Sequence, residues 1–225
     1  MNTKISIGER LVYLLEVVIF TIGITLLQQI TIFPLQGSLM SDNNALKIFC
    51  TLISVFFLSV FIYFSYKEYM KNVFIKNEMS IKNVFILLGF GIICVIIIQY
   101  ITVFFQNVHI LTDTKNQDAA ISLLKSNPIG FYIVVCLGGP ISEELIFRGL
   151  LINKLVEKFG SSIFSLTFSV LLSSAMFAFM HSPGNIINSL PFLLVGILLS
   201  CVYIKTNKII ISIVLHVVLN VTALF

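Results

Sequence analysis

Inside long apolar runs, a few residues carry groups able to move a proton: Glu143, Glu144 and Arg148 in one run, His181 closing a second, and His216 with Asn220 in a third. Ionisable groups inside a bilayer cost several kcal/mol, so they are the first place to look for function. Read as a helix, Ser142-Glu143-Glu144-Leu145-Ile146-Phe147-Arg148-Gly149 puts Glu144 and Arg148 on one face, where they can pair. Glu143 is rotated about 100° away and has no charge partner on its own helix. A partly desolvated, unpaired carboxylate suits a group that accepts and returns a proton. The alternative is a packing ion cluster between helices. His216 and Asn220 are four apart and project from one face, as a shared site or as an interhelical hydrogen-bond contact. Phe177 and His181 repeat that spacing, with Phe177 as core and His181 serving either chemistry or a helix cap beside Ser182-Pro183.

The elements that must position these groups follow from composition. Of 225 residues, 58% are apolar and 11% charged, and the mean hydropathy is +1.04, whereas a soluble domain carries about 25% charge. Uncharged stretches run over 17–41, 48–66, 83–112, 126–142, 159–204 and 209–225, and about 20 mostly apolar residues span a bilayer. The reading is an all-α, polytopic membrane helix bundle of about seven transmembrane helices, near 11–33, 48–66, 83–105, 129–152, 161–181, 186–204 and 208–224. The turn Ser182-Pro183-Gly184-Asn185 divides the long stretch 159–204. Composition excludes a soluble globule, disorder and a coiled coil. The formal charge of +4 is spread between runs, so no nucleic acid is expected as a partner. The runs lack the alternation of a membrane barrel.

Seven spans with a cytoplasmic N-terminus place Lys4, Arg10, Lys67, Lys71, Lys76, Lys82, Lys154, Lys158, Lys205 and Lys208 inside, against Lys47, Lys115 and Lys125 outside. Glu16 interrupts the first run and no small-residue cleavage site follows, so the N-terminal run reads as a membrane helix, with Glu16 near the interface. Cys50, Cys94, Cys136 and Cys201 read as buried small hydrophobes. The polar connection 106–128 divides three front helices, 1–110, from a back half, 128–225, and the lysine-rich segment 67–82 faces anionic head groups. Depth raises a difficulty: Glu143 lies roughly 16 Å from Lys154 and His216 roughly 12 Å from Lys208, but His181 lies roughly 34 Å from Lys158 along a straight helix. The fifth helix is therefore expected to start late, tilt, or belong to a re-entrant hairpin over 161–204.

Glu143-Glu144-x-x-x-Arg148, Phe177-x-x-x-His181 and His216-x-x-x-Asn220, in this order and in separate apolar helices, resemble the three motifs of the CPBP intramembrane proteases, also called the CAAX prenyl protease 2, Rce1-like or Abi family. Pro140, Phe147-Arg148-Gly149 and Phe159-Gly160 agree with that context. The resemblance covers roughly 128–225 and implies a four-helix catalytic core. It implies an endopeptidase in which Glu143 and His181 activate water, His216 and Asn220 stabilise the oxyanion, and Glu144, Arg148 and Phe177 support the site. Glu143, His181 and His216 could instead hold zinc, with water as fourth ligand; there is no HExxH helix to decide between this and metal-free general-base catalysis. The expected partners are the lipid bilayer and a membrane-associated or peptide substrate. Abundant Ile, Lys, Asn and Phe suggest an AT-rich bacterium and its plasma membrane, where peptide processing or bacteriocin immunity would replace the prenylated CAAX tail. The rival readings are a non-catalytic immunity or scaffold protein and a small proton-coupled transporter.

Overall fold

The computed structural model describes residues 7–71, 73, 79–112 and 114–223; Lys4, Lys76 and Asp113 lie outside them. The described residues form a polytopic helix bundle with no strand. Its helices are α1 (Ile7–Gly37), α2 (Asn44–Lys71), α3 (Ile81–Asn107), α4 (Lys115–Ser126), α5 (Pro128–Phe159), α6 (Ile163–His181), α7 (Ile186–Thr206) and α8 (Ile209–Thr222). Six of them (α1, α2, α3, α5, α6 and α7) are long and apolar enough to cross a membrane. The seventh apolar helix, α8, has 14 residues, about 21 Å against a hydrocarbon core of about 30 Å.

α5 is the centre of the bundle. Every residue from Leu145 to Ile152 is buried, and α1, α2, α6 and α8 pack against that stretch. Its backbone is not uniform: on both sides of Gly139–Glu144 the hydrogen-bond ladder widens to five-residue steps, over Phe131–Gly138 and Leu145–Ile152. Pro140 has no N–H to give, and Gly139 N–H reaches back five residues to Val134 O. Such widened turns collect at functional sites because they re-aim side chains. Asn153 closes the second one, its amide donating to Gly149 O at 2.7 Å and to the Tyr203 hydroxyl at 2.6 Å.

α6 and α7 form a tight antiparallel pair made possible by small residues. A Cβ on Gly196 would lie 2.9 Å from Ser174 Cα, and Ser165, Ser169, Ser173 and Ser174 line the buried face of α6. In lipid, where apolar burial gives helices little reason to associate, such close approach and hydrogen bonding provide the attraction. Ser173 Oγ adds a bond to Phe147 O of α5 at 2.9 Å.

The depth problem resolves through the length of α5 and the start of α8. α5 runs seven residues past its expected end, to Phe159, and α6 begins only at Ile163, after the positive-φ turn at Gly160. Glu143 and His181 are then about 24 and 27 Å from that turn. α8 starts inside the bundle, Ile209 Cδ1 lying 3.1 Å from where a Cβ on Gly149 would be. His216, about 10 Å further along α8, arrives at the same level. No re-entrant hairpin is needed. The polar connection also differs from expectation, since it contains the amphipathic helix α4, opened by a Thr114–Gln117 capping box. Of the cysteines, only Cys136 is buried; Cys50 and Cys94 are half-buried and Cys201 is exposed, where apolar lipid accepts a thiol as readily as a core does. Glu16 is exposed on α1, away from the site.

Candidate active site

Three helices deliver the ionisable side chains to one place. Glu143 Oε2 lies 3.6 Å from His181 Nε2 and 3.7 Å from His216 Nε2. Both separations exceed hydrogen-bonding distance, so the two imidazoles and the carboxylate face one another without bonding directly. Glu144 points the other way. Its Oε1 accepts Arg148 Nη1 at 2.9 Å and His216 Nδ1 at 2.8 Å, with Glu144 and Arg148 wholly buried and His216 2% exposed. The sequence pattern thus sorted the adjacent glutamates: Glu144 is in the ion pair, and Glu143, 17% exposed, is outside it.

Hydrogen-bond partners fix how each imidazole presents itself. His181 Nδ1 is 2.9 Å from Phe177 O; a carbonyl only accepts, so Nδ1 carries the hydrogen and Nε2 turns its lone pair toward Glu143. His216 Nδ1 likewise donates to the Glu144 carboxylate, and its Nε2 offers a hydrogen only in the imidazolium form. With neutral imidazoles, Glu143, Glu144 and Arg148 sum to one negative charge; a proton on His216 makes the buried cluster neutral.

Phe177 is the plate on which these groups rest. Its ring is 4.2 Å from that of His181, 5.5 Å from that of His216 and 4.9 Å from Arg148 Cζ, with Phe147 edge-on at 5.5 Å. Arg148 is held further by α7, donating from Nη2 to Gly196 O at 3.0 Å and from Nε to Ser200 Oγ at 3.3 Å. Asn220 sits one turn past His216, half-buried, with no side-chain hydrogen bond among the described residues. The structure therefore brings Glu143, Glu144, Arg148, Phe177, His181 and His216 into direct contact and leaves Asn220 on the adjoining turn.

Two residues join the site without a sequence forecast. Phe192 of α7 stacks on His181 at 4.9 Å; one phenylalanine among 21 gives no signal. Gln28 of α1, fully buried, donates to Ser142 Oγ at 3.2 Å, and Ser142 donates to Gly139 O at 2.8 Å. An amide within an uncharged run was a visible signal, missed by weighing ionisable groups alone.

The zinc set considered from sequence is Glu143, His181 and His216. Among the described residues no three His, Cys, Asp or Glu side chains are arranged to hold a metal ion. Tetrahedral zinc with bonds of 2.0–2.2 Å sets its ligand atoms about 3.3–3.6 Å apart, against 3.6 and 3.7 Å from Glu143 Oε2 to the two imidazoles.

Residues 125–222 match the family model described as type II CAAX prenyl endopeptidase Rce1-like. This segment is similar to the Rce1-like family. The Rce1-like match takes in α5–α8 with the last residues of α4, and leaves α1–α3 outside. Among curated proteins, the chain is similar to "Putative membrane peptidase YdiL" of Bacillus subtilis (strain 168), 29% identical over 108 residues, covering 48% of this chain and 41% of that one. It is also similar to "UPF0177 protein YxdF" of Lactococcus lactis subsp. lactis (strain IL1403), 28% identical over 154 residues, 68% of this chain and 80% of that one. The aligned segment thus spans less than half of the Bacillus protein's length. No solved structure matches significantly.

Proposed function

We propose that this chain is an intramembrane endopeptidase that hydrolyses a peptide bond of a membrane-associated peptide with a water activated by Glu143 and His181. The observation that carries the reading is the convergence of Glu143 with His181 and His216 from three separate helices, at 3.6 and 3.7 Å, around a carboxylate kept out of the neighbouring ion pair. The match of residues 125–222 to the Rce1-like family model and the similarity to a relative named a membrane peptidase support it. Glu143 is the sixteenth of the 32 residues of α5, so the bond attacked lies within the membrane.

The chemistry follows from the hydrogen-bond roles. Water gives its proton to the Glu143 carboxylate, with the His181 Nε2 lone pair orienting it, as its oxygen bonds to the scissile carbonyl carbon. The carbonyl oxygen becomes an oxyanion, for which the Asn220 amide and the Nε2–H of a His216 imidazolium are the donors. Glu144 holds that imidazolium through Nδ1, and Arg148 fixes Glu144. Glu143 then returns the proton to the leaving nitrogen as the C–N bond breaks, so no proton is gained or lost.

The test is to compare membrane and secreted peptides from cells carrying the wild type and Glu143→Ala, with insertion of both verified. The reading expects at least one peptide product lost in the variant, and cleavage by the purified wild type that persists in chelator. An inserted Glu143→Ala protein that retains the whole phenotype would instead mark a binding scaffold of the immunity kind.

A further inference from the structure

Away from the site, α1 and α2 part to leave a groove of about 380 Å³ on the lipid-facing side, with Phe20, Leu27, Phe57 and Phe64 on its walls and Leu150 of α5 as its floor. Its walls run from Phe20 to Thr31 on α1 and from Phe57 to Glu68 on α2. Twelve helical residues, eleven steps of about 1.5 Å, span about 16 Å, the thickness of one leaflet's share of a hydrocarbon core about 30 Å deep. The groove therefore has the length of an acyl chain lying in one leaflet.

Its charged end says which lipid. Lys154 Nζ lies 5.0 Å from the centre of the Phe20 ring, which places an ammonium at the mouth. No carboxylate stands within 4.0 Å of it among the described residues. Glu68 lines the same end, with its charge engaged by Lys71 at 2.8 Å, and Glu16 and Glu157 lie within electrostatic reach of Tyr13. Two turns before Phe20 on α1, Tyr13 donates its hydroxyl hydrogen to Lys154 O at 3.0 Å and lies 5.0 Å beneath Lys158 Nζ. This tyrosine fixes the backbone that carries the lysine. Lysines with interfacial aromatics are the groups that meet lipid phosphate.

We propose that the α1–α2 groove is a binding site for one anionic phospholipid, its acyl chain against Leu27, Phe57 and Leu150 and its phosphate at Lys154. One basic residue near an anionic surface contributes about 1 kcal/mol, close to a fivefold preference. The site stands apart from the proteolytic reading, because its walls are α1 and α2 while Glu143, His181 and His216 come from α5, α6 and α8.

Photocrosslinking of the full chain in nanodiscs tests it without an activity assay. Phosphatidylglycerol with a mid-chain diazirine is compared with phosphatidylcholine carrying the same chain, and labelled peptides are mapped by mass spectrometry. The expected result is labelling by phosphatidylglycerol concentrated on 20–31 and 57–68, about fivefold above phosphatidylcholine, and lowered by about that factor in Lys154→Gln. Should Lys154→Gln fail to insert, Leu27→Trp, which fills the groove and keeps the lysine, is expected to abolish groove labelling. Even labelling around the bundle, including α3, would mean surrounding lipid only and would overturn the proposal; equal labelling by the two lipids would overturn the role of charge.

Discussion

Glu143 and Glu144 are neighbours in sequence with opposite burdens, and substitution separates them. Glu144 accepts from Arg148 and His216 at 2.9 and 2.8 Å in full burial, and removing one member of the buried Glu144–Arg148 pair costs about 3–5 kcal/mol because the other charge is stranded. Glu144→Gln is expected to lower the thermal unfolding midpoint sharply and reduce the inserted yield. Glu143→Gln touches no ion pair shorter than 3.6 Å, so it is expected to unfold like the wild type while losing cleavage. Equal destabilisation of the two would contradict the division of roles. Gln28 is a third case. Its bond to Ser142 braces the turn before Glu143, and one hydrogen bond contributes about 1 kcal/mol net. Gln28→Leu is expected to slow turnover severalfold with KM little changed, and a variant with unaltered turnover would reduce Gln28 to packing. These residues differ in legibility for a physical reason: charge in an apolar run is conspicuous, an amide less so, and an aromatic such as Phe192 is invisible until a neighbouring helix brings it to His181.

At the scale of elements, hydropathy located the apolar helices but misjudged their ends. Lys154 and Lys158 looked like loop charges, yet both belong to α5, where Lys154 lies over Phe20 and Lys158 over Tyr13. Long aliphatic stems let lysines remain on a helix while their ammonium groups leave the core. That extra length is what levels Glu143 with His181. The α6–α7 pair is the element on which His181 depends, and its contact at Gly196 has no spare room: a Cβ would meet Ser174 backbone at 2.9 Å. Overpacking of this kind costs about 1–3 kcal/mol. It would also disturb Gly196 O, which accepts from Arg148 at 3.0 Å. Gly196→Leu is therefore expected to reduce both thermal stability and cleavage, whereas Gly23→Leu, at a position with nothing within 4 Å, should change neither. Retention of both properties in Gly196→Leu would show that the hairpin tolerates separation. α4 was legible in principle, since Thr114-Lys115-Asn116-Gln117 is the capping box that opens it, but a short polar helix has no apolar period to announce it.

For the whole molecule, the contacts sort the chain into two ends. Leu35, Thr51 and Asn127 gather around Gly130, and Asn188 holds Thr112, at one end; Tyr13 with Lys154, and Tyr203 with Asn153, mark the other. The second end carries Arg10, Lys67, Lys71, Lys154, Lys158, Lys205 and Lys208, and the first carries Lys47, Lys115 and Lys125. Basic residues are retained in the cytoplasm, so the N-terminus and the turns at Ser161 and Asn207 are expected inside, and the turns at Ser41 and Gly184 outside. Single cysteines at these positions, in a chain whose four native cysteines are replaced, should react with a membrane-impermeant thiol reagent from opposite faces: Ser41→Cys and Gly184→Cys in intact cells, Ser161→Cys and Asn207→Cys only after lysis. Labelling of Ser161→Cys in intact cells would invert the molecule. Labelling of Ser161→Cys and Asn207→Cys from different sides would break the antiparallel order of α6 and α7 that brings His181 and His216 to the same carboxylate, and the proposed site would fall with it.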